Sequence, residues 1–275
     1  MATMTTDSGT ITTGDGCRIT YRFDGREDAS LLLLSNSLGT SMAMWEPQLD
    51  ALAQEFRVLR YDQRGHGASA APAGSYSIDR LGRDVIELLD ALGVERVHFC
   101  GLSLGGMVGQ WLGIRAPERL DRLILANTSG YMGPPAGWDA RIRSVLADGM
   151  APLAQASVDR WFTAAFAAAA PDAIAPIKAM LLANSAQGYA GTCAAIRDMD
   201  MRRAATLISV PTLVIGGLSD PATPPPHSEA LARAIRGARL IMMDAAHLSN
   251  VEQPVLFLKA ILDHLCVPGE GRAAE

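Results

Sequence analysis

Ser103 lies in Val97-His98-Phe99-Cys100-Gly101-Leu102-Ser103-Leu104-Gly105-Gly106, a β-rich run that ends in Gly-x-Ser-x-Gly-Gly and leads into a glycine-striped helix pattern. A hydroxyl is a weak nucleophile at neutral pH and attacks a carbonyl only when a neighbouring base takes its proton. A strand, a sharp turn and a helix in that order expose such a serine at the tip of a strained elbow above a sheet. Gly101 and Gly105 keep the crowded positions two before and two after the serine small. The base is expected at His247, in Asp244-Ala245-Ala246-His247-Leu248-Ser249-Asn250 after the apolar run 240–243. A base of this kind needs an acid to fix its tautomer. Asp220 fills that place, in Gly216-Gly217-Leu218-Ser219-Asp220-Pro221 after the apolar run 212–215, with Asp198, Asp200 and Asp244 as weaker candidates. The chain order serine, aspartate, histidine is the one that accompanies an elbow nucleophile. The other histidines, His66, His98, His227 and His264, read as structural.

Attack on a carbonyl creates a tetrahedral oxyanion, which needs preorganised N–H donors. One is expected from the backbone of Leu104, directly after the serine. The second is expected from Leu38, in Ser35-Asn36-Ser37-Leu38-Gly39-Thr40-Ser41, where Gly39 permits a tight turn. The run Tyr61-Asp62-Gln63-Arg64-Gly65-His66-Gly67-Ala68-Ser69 reads as a structural turn in which Asp62 and Arg64 bond locally, without chemistry of its own.

These groups must be held by a scaffold, and the hydrophobic pattern indicates which one. Residues 31–34, 58–61, 97–100, 123–126, 212–215 and 240–243 are continuous apolar runs, as in strands buried on both faces of a parallel sheet. Residues 17–23 alternate polar and apolar, like a half-exposed antiparallel strand. Helical patterns at 79–92 and 104–115 lie between the runs. Alternation of this kind indicates an α/β fold with a doubly wound, mostly parallel sheet of about eight strands. Gly105, Gly109 and Gly113 repeat every fourth residue of the second helix. Each costs about 1 kcal/mol of helix propensity relative to alanine, and a stripe of them lets the helix press against the sheet. Between residues 131 and 203 the β pattern disappears. Helical patches at 138–146, 158–168, 173–182 and 189–197 take its place, punctuated by Pro134, Pro135, Pro152 and Pro171. The expected organisation is a core of residues 1–130 and 204–275, with residues 131–203 as an all-helical lid. Ligands in such sheets bind at the carboxyl ends of the strands, so the lid would cover the elbow.

Bulk properties exclude several function classes. The 275 residues are 49% hydrophobic, enough for one large α/β domain or a core with an insert. The formal net charge is −5 with scattered basic residues, which argues against a nucleic-acid partner. Cys17, Cys100, Cys193 and Cys266 are far apart and form no Cys-x-x-Cys pair. No metal site or disulfide framework is expected, and buried free thiols in a reducing compartment are. No apolar run reaches the roughly 18 residues that span a bilayer, and residues 1–13 lack a secretion-signal pattern. A soluble cytoplasmic protein without a membrane partner is expected.

Together the elbow, the Asp-x-Arg-Gly-x-Gly-x-Ser turn at 62–69, Asp220-Pro221 and the His247 loop resemble the α/β-hydrolase family over nearly the whole chain. Within it the likeness is to 3-oxoadipate enol-lactonases. It is carried by Ser35-Asn36-Ser37-Leu38-Gly39-Thr40, by residues 61–69 and by Cys100-Gly101-Leu102-Ser103-Leu104-Gly105-Gly106-Met107-Val108-Gly109-Gln110-Trp111-Leu112. Most family members have His-Gly where this chain has Asn36-Ser37, which leaves the part played by those two side chains open. Some relatives carry a fused lactone decarboxylase, an activity not expected here. The resemblance implies hydrolysis of 3-oxoadipate enol-lactone to 3-oxoadipate in aromatic-compound breakdown, without cofactor or metal. Such a substrate is a small anionic lactone, and its free carboxylate suits the bidentate fork of an arginine. Residues 131–203 offer Arg141, Arg143, Arg160 and Arg197. Arg141 is favoured because it follows Trp138 by three residues, on the same helix face. That pair either clamps a small ring or is a core tryptophan beside a solvated arginine. The same catalytic residues would serve a carboxylesterase, a C–C bond hydrolase or a cofactor-free perhydrolase. A non-enzymatic ligand receptor on this scaffold is the remaining alternative. Ser103 argues against the dehalogenases and epoxide hydrolases of the fold, which use an aspartate nucleophile.

Overall fold

Eight strands form one sheet in the computed structural model, which describes residues 4–266. The outer ends of both expected core segments, 1–3 and 267–275, lie outside the described residues. The first half of the chain runs β1 (Met4–Thr12), β2 (Arg18–Arg26), β3 (Leu31–Ser35), α1 (Glu46–Glu55), β4 (Arg57–Tyr61), α2 (Ile78–Ala91), β5 (Val97–Leu102), α3 (Leu104–Arg115) and β6 (Leu120–Ala126). Five helices follow: α4 (Pro135–Asp148), α5 (Ala154–Trp161), α6 (Ala164–Ala169), α7 (Pro171–Ala183) and α8 (Ala186–Arg197). The chain then returns to the sheet with β7 (Thr212–Gly217), α9 (Pro225–Ala234), β8 (Arg239–Met243), α10 (Ser249–Glu252) and α11 (Pro254–Leu265).

The sheet order is β1-β2-β4-β3-β5-β6-β7-β8. β1 pairs antiparallel with β2 and β2 with β4, while the remaining pairs are parallel. The central strands β3, β5 and β7 are buried apart from half-buried Leu31 and His98, as their apolar runs require. β8 departs from that pattern. It has one neighbour, β7, and Leu240 remains 38% exposed. β1 also escapes the apolar pattern, because a threonine-rich edge strand is held by its backbone ladder with β2.

Helix α3 is buried by its position against β3, β5 and β6. A Cβ added to Gly109 would stand 2.9 Å from Phe99 and 3.0 Å from Leu125, so the glycine stripe sets how closely this helix meets the sheet. The helical patch expected at 158–168 is two helices, broken at Phe162 and Thr163, where the Thr163 hydroxyl caps the second. The turn at 62–69 is less local than its sequence suggests. Asp62 accepts the Ala68 and Met42 N–H groups, but Arg64 reaches Asp84 on α2 and Asp15. All four cysteines are free; Cys17, Cys100 and Cys193 are buried, but Cys266 is exposed. No helix among the described residues is long and apolar enough to cross a membrane.

Candidate active site

The parallel strands β3, β5, β6, β7 and β8 bring their carboxyl ends to one side of the sheet, and each end carries a site residue. Ser103 follows β5 with φ 57° and ψ −111°, a conformation that costs an L-residue strain. Ala126 O accepts its N–H at 2.8 Å and the Thr128 hydroxyl donates to its carbonyl at 2.7 Å, which hold the turn. The flanking glycines are demanded by backbone rather than by the serine itself. A Cβ on Gly101 would lie 2.1 Å from Gly105 O, and one on Gly105 would lie 2.0 Å from Ser35 O.

His247, after β8, places Nε2 2.8 Å from Ser103 Oγ, and its Nδ1 lies 2.8 Å from Asp220 Oδ2. With Nδ1–H donating to the carboxylate, Nε2 is left to accept the serine proton. Asp220 is buried and heavily supported. Oδ2 also accepts from Thr223 Oγ1 and Asn127 Nδ2, and Oδ1 accepts the Ala222 and Thr223 N–H groups. Burial alone would raise its pKa. The electrostatic and hydrogen-bonding interactions with His247 and the donors from Thr223 outweigh that and hold it down at about 2. The arrangement can take a proton from a hydroxyl and stabilise the resulting imidazolium.

The two amides expected to face an oxyanion are set apart from their neighbours. Ser37 N–H points to Met44 Sδ, Gly39 N–H to His66 Nε2 and Thr40 N–H to Ser37 O. On the other side, Ser103 N–H donates to Ala126 O and Gly105 N–H to Asn36 O. Among the described residues the Leu38 and Leu104 N–H groups between them have no partner. Helix α3 begins at Leu104, so its dipole also favours negative charge there.

A cavity of about 240 Å³ opens onto Ser103 and His247. The core lines it with Ser37, Leu38, Met107 and Pro221, and the helical segment with Trp138, Arg141, Ser157, Arg160, Trp161 and Tyr189. Trp138 and Arg141 face it together, with the guanidinium 4.9 Å from the indole centroid. Both are half-buried, between the two alternatives of clamp and core. Arg160 faces the same cavity. Burial lowers its pKa, and the nearby Arg141 charge lowers it further. Among the described residues neither arginine forms an ion pair; the one polar contact of the Arg160 head is Ser157 Oγ at 3.3 Å. Arg197 is committed to Asp139 and Asp198, and Arg143 is exposed.

Asp198 and Asp200 pair with Arg197 and Arg202, and Asp244 is exposed, so none of the three serves His247. His98 lies on β5, His227 on α9 and His264 on α11, while His66 bonds the loop that carries Leu38. The Asn36 side chain is spent inside the core, on Tyr61 O and Trp45 Nε1. Ser37 differs: its hydroxyl is buried without a partner among the described residues, and the residue lines the cavity. The sequence pattern leaves Ser37 open and favours Arg141 over Arg160. The helical repeat does bring Arg160 and Ser157 onto one face of α5, a signal that the spacing of the two residues already carries.

A family model described as alpha/beta hydrolase fold matches residues 30–254. The chain is 42% identical to 3-oxoadipate enol-lactonase 2 of Acinetobacter baylyi over 249 residues, 90% of this chain and 93% of that one. Among solved structures, a hydrolase from Pseudomonas aeruginosa shares 50% identity with a TM-score of 0.93, covering 95% of this chain and 99% of that one. The enol-lactonase from Burkholderia xenovorans shares 42% identity with a TM-score of 0.92, covering 94% of this chain and all of that one. The chain is also similar to a protein of Stutzerimonas stutzeri named as a candidate carbamate hydrolase, at 34% identity over 89% of this chain and 96% of that one.

Proposed function

The chain belongs to the α/β-hydrolase family and is a hydrolase, and from that premise we propose that it opens the ring of 3-oxoadipate enol-lactone to give 3-oxoadipate. Ser103 is the nucleophile, His247 the base and Asp220 the acid that orients it. One observation carries this reading. The hydrogen-bonded line Ser103–His247–Asp220 faces a cavity that also receives two guanidiniums with no carboxylate of their own among the described residues.

Ser103 Oγ attacks the lactone carbonyl as His247 Nε2 takes its proton. The oxyanion forms toward the Leu38 and Leu104 N–H groups. Collapse expels the ring oxygen as an enol, a better leaving group than an alkoxide, and the His247 imidazolium returns the proton to it. The enol tautomerises to the ketone. His247 then activates a water that releases the acyl group as a second carboxylate. Each step is served by groups of this chain, and none needs a metal or cofactor. Arg141 and Arg160 hold the carboxylate already present in the substrate, and Trp138 covers the ring. Residues 131–203 act as the lid over a core of 1–130 and 204–275. Four free thiols and an acidic, small-molecule enzyme fit the cytoplasm.

The test is a substrate panel with purified protein. The enol-lactone should be hydrolysed far faster than p-nitrophenyl acetate or a simple carbamate, and Ser103→Ala should lose turnover of all three. Equal or better rates on the ester or the carbamate would reject the lactone assignment and leave the serine chemistry standing.

A further inference from the structure

The Leu38 amide owes its direction to three consecutive peptide planes, and each is gripped from a different place. The Ser37 carbonyl, which shares a plane with the Leu38 N–H, accepts from Thr40 N at 3.2 Å and Thr40 Oγ1 at 2.9 Å. In a trans peptide the carbonyl and the N–H point opposite ways, so pinning one aims the other. The next plane presents the Gly39 N–H to His66 Nε2 at 3.0 Å. The third presents the Gly39 carbonyl to Asn184 Nδ2 at 2.8 Å. Gly39 has φ 81° at the third position of the turn closed by Thr40 and Ser37, a place that demands the left-handed region. Reversal of the middle plane would need the Gly39 N–H to leave His66.

The two outer grips belong to different parts of the molecule. His66 lies in the turn after β4. It is 2% exposed, and its Nδ1 lies 3.3 Å from the Arg64 carbonyl. That contact places the proton on Nδ1 and leaves Nε2 an acceptor. Burial supports the neutral form by lowering the pKa to about 4. Asn184 stands between α7 and α8, in the segment inserted between β6 and β7. Its amide also donates to Met180 O at 2.8 Å, so it is fixed before it reaches Gly39. The segment seats closely beside the same loop. A Cβ on Gly188 would lie 2.4 Å from Gly65, and one on Gly39 would lie 2.7 Å from Leu181.

We propose that His66 and Asn184 are positioning residues that clamp the Gly39 peptides from the core and from the helical segment, so that the oxyanion site is complete only when that segment is docked. This rests on the reading of Leu38 as an oxyanion donor. The turn at 62–69 thereby acquires a part in catalysis through the loop it holds, although His66 never touches substrate.

The experiment compares His66→Leu, His66→Gln, Asn184→Leu and the double variant that combines His66→Leu with Asn184→Leu. It reads kcat and KM on p-nitrophenyl acetate, Kd for phenylboronic acid as a mimic of the tetrahedral oxyanion, and melting temperature. A misdirected donor should lower kcat roughly 10- to 100-fold, below the about 10²- to 10³-fold lost when an oxyanion donor is removed outright. His66→Leu and Asn184→Leu should show that loss, with KM nearly unchanged and boronate binding weakened in parallel. Gln places Oε1 where Nε2 stands and can accept the Gly39 N–H, so His66→Gln should recover most of the rate. The double variant should lose less than the product of the two single losses, because both grips act on one turn. Losses that track melting temperature, fail to recover in His66→Gln or leave boronate affinity unchanged would overturn the clamp. If Ser103→Ala retained turnover, the underlying serine mechanism would fail instead, and separately.

Discussion

The two sides of the cavity are built in opposite ways. On the core side the polar groups are small, backbone-borne or multiply bonded. Asp220 accepts from His247, Thr223, Asn127 and two amides, and Ser103 is locked in a strained turn. On the helical side the groups are large and sparsely bonded. Trp138 donates to Met132 O, and the Arg160 head has one weak contact. Dense bonding fixes atoms to the tolerance that proton transfer requires. Sparse bonding leaves charge free for an incoming anion. On the proposed function, the difference divides the labour of this cavity, with chemistry from the sheet and selection from the helices.

The sharpest way to break this division is Asp220→Asn. It should lower kcat about 10³- to 10⁴-fold through loss of the His247 orientation, with KM for the lactone nearly unchanged, as stopped-time product assays will read. The carboxylate also has a pH signature. Its folded pKa of about 2 lies below the ordinary 3.8, so it stabilises the fold above that ordinary value. The stabilisation is lost as pH falls toward about 2. Acid melting curves of the wild type and Asp220→Asn should therefore converge at the acid end.

Arg141→Gln and Arg160→Gln come next. Each removes one charge-assisted partner, worth about 1.5–3 kcal/mol, so KM for the lactone should rise roughly 10- to 100-fold. Their kcat should stay within about threefold of wild type if the helical side only selects. A fall in kcat with unchanged KM would reverse the assignment of labour. The smallest effect is expected at Arg197→Gln. That side chain is tied to Asp139 and Asp198 at the surface, where such pairs contribute about 0–1 kcal/mol, so kinetics and stability should barely move.

The same contrast governs what the sequence reveals. Ser103, Asp220 and His247 stand out because each follows an apolar strand in an order that only one topology brings together. The glycines at 101 and 105 are legible because close backbone approach leaves no room for a Cβ, and Gly109 because its helix presses on the Phe99 and Leu125 side chains. β1 is hidden because a threonine-rich edge strand paired with β2 through its backbone leaves no apolar pattern to read. Ser37 is hidden for another reason: what marks it is a buried hydroxyl without a partner among the described residues, and spacing carries no trace of that. Arg160 shares a helix face with Ser157, which spacing does show, but only the fold reveals that its head meets no carboxylate among the described residues and faces the cavity. His66 reads as idle in the sequence because its bond to Gly39 joins residues 27 apart in the chain. Arg64 reads as a local bonding group because only the fold brings Asp84 and Asp15 to it.

The central claim is that a serine on the sheet acts on an anion chosen by the helices. It is tested most directly by comparing kcat/KM for 3-oxoadipate enol-lactone with that for the methyl ester of its free carboxylate, in the wild type. The ester keeps the lactone ring and removes the charge. A preference for the charged lactone of about 100-fold or more is expected from the loss of charge-assisted bonds to two arginines. Equal values for the two compounds would contradict the account.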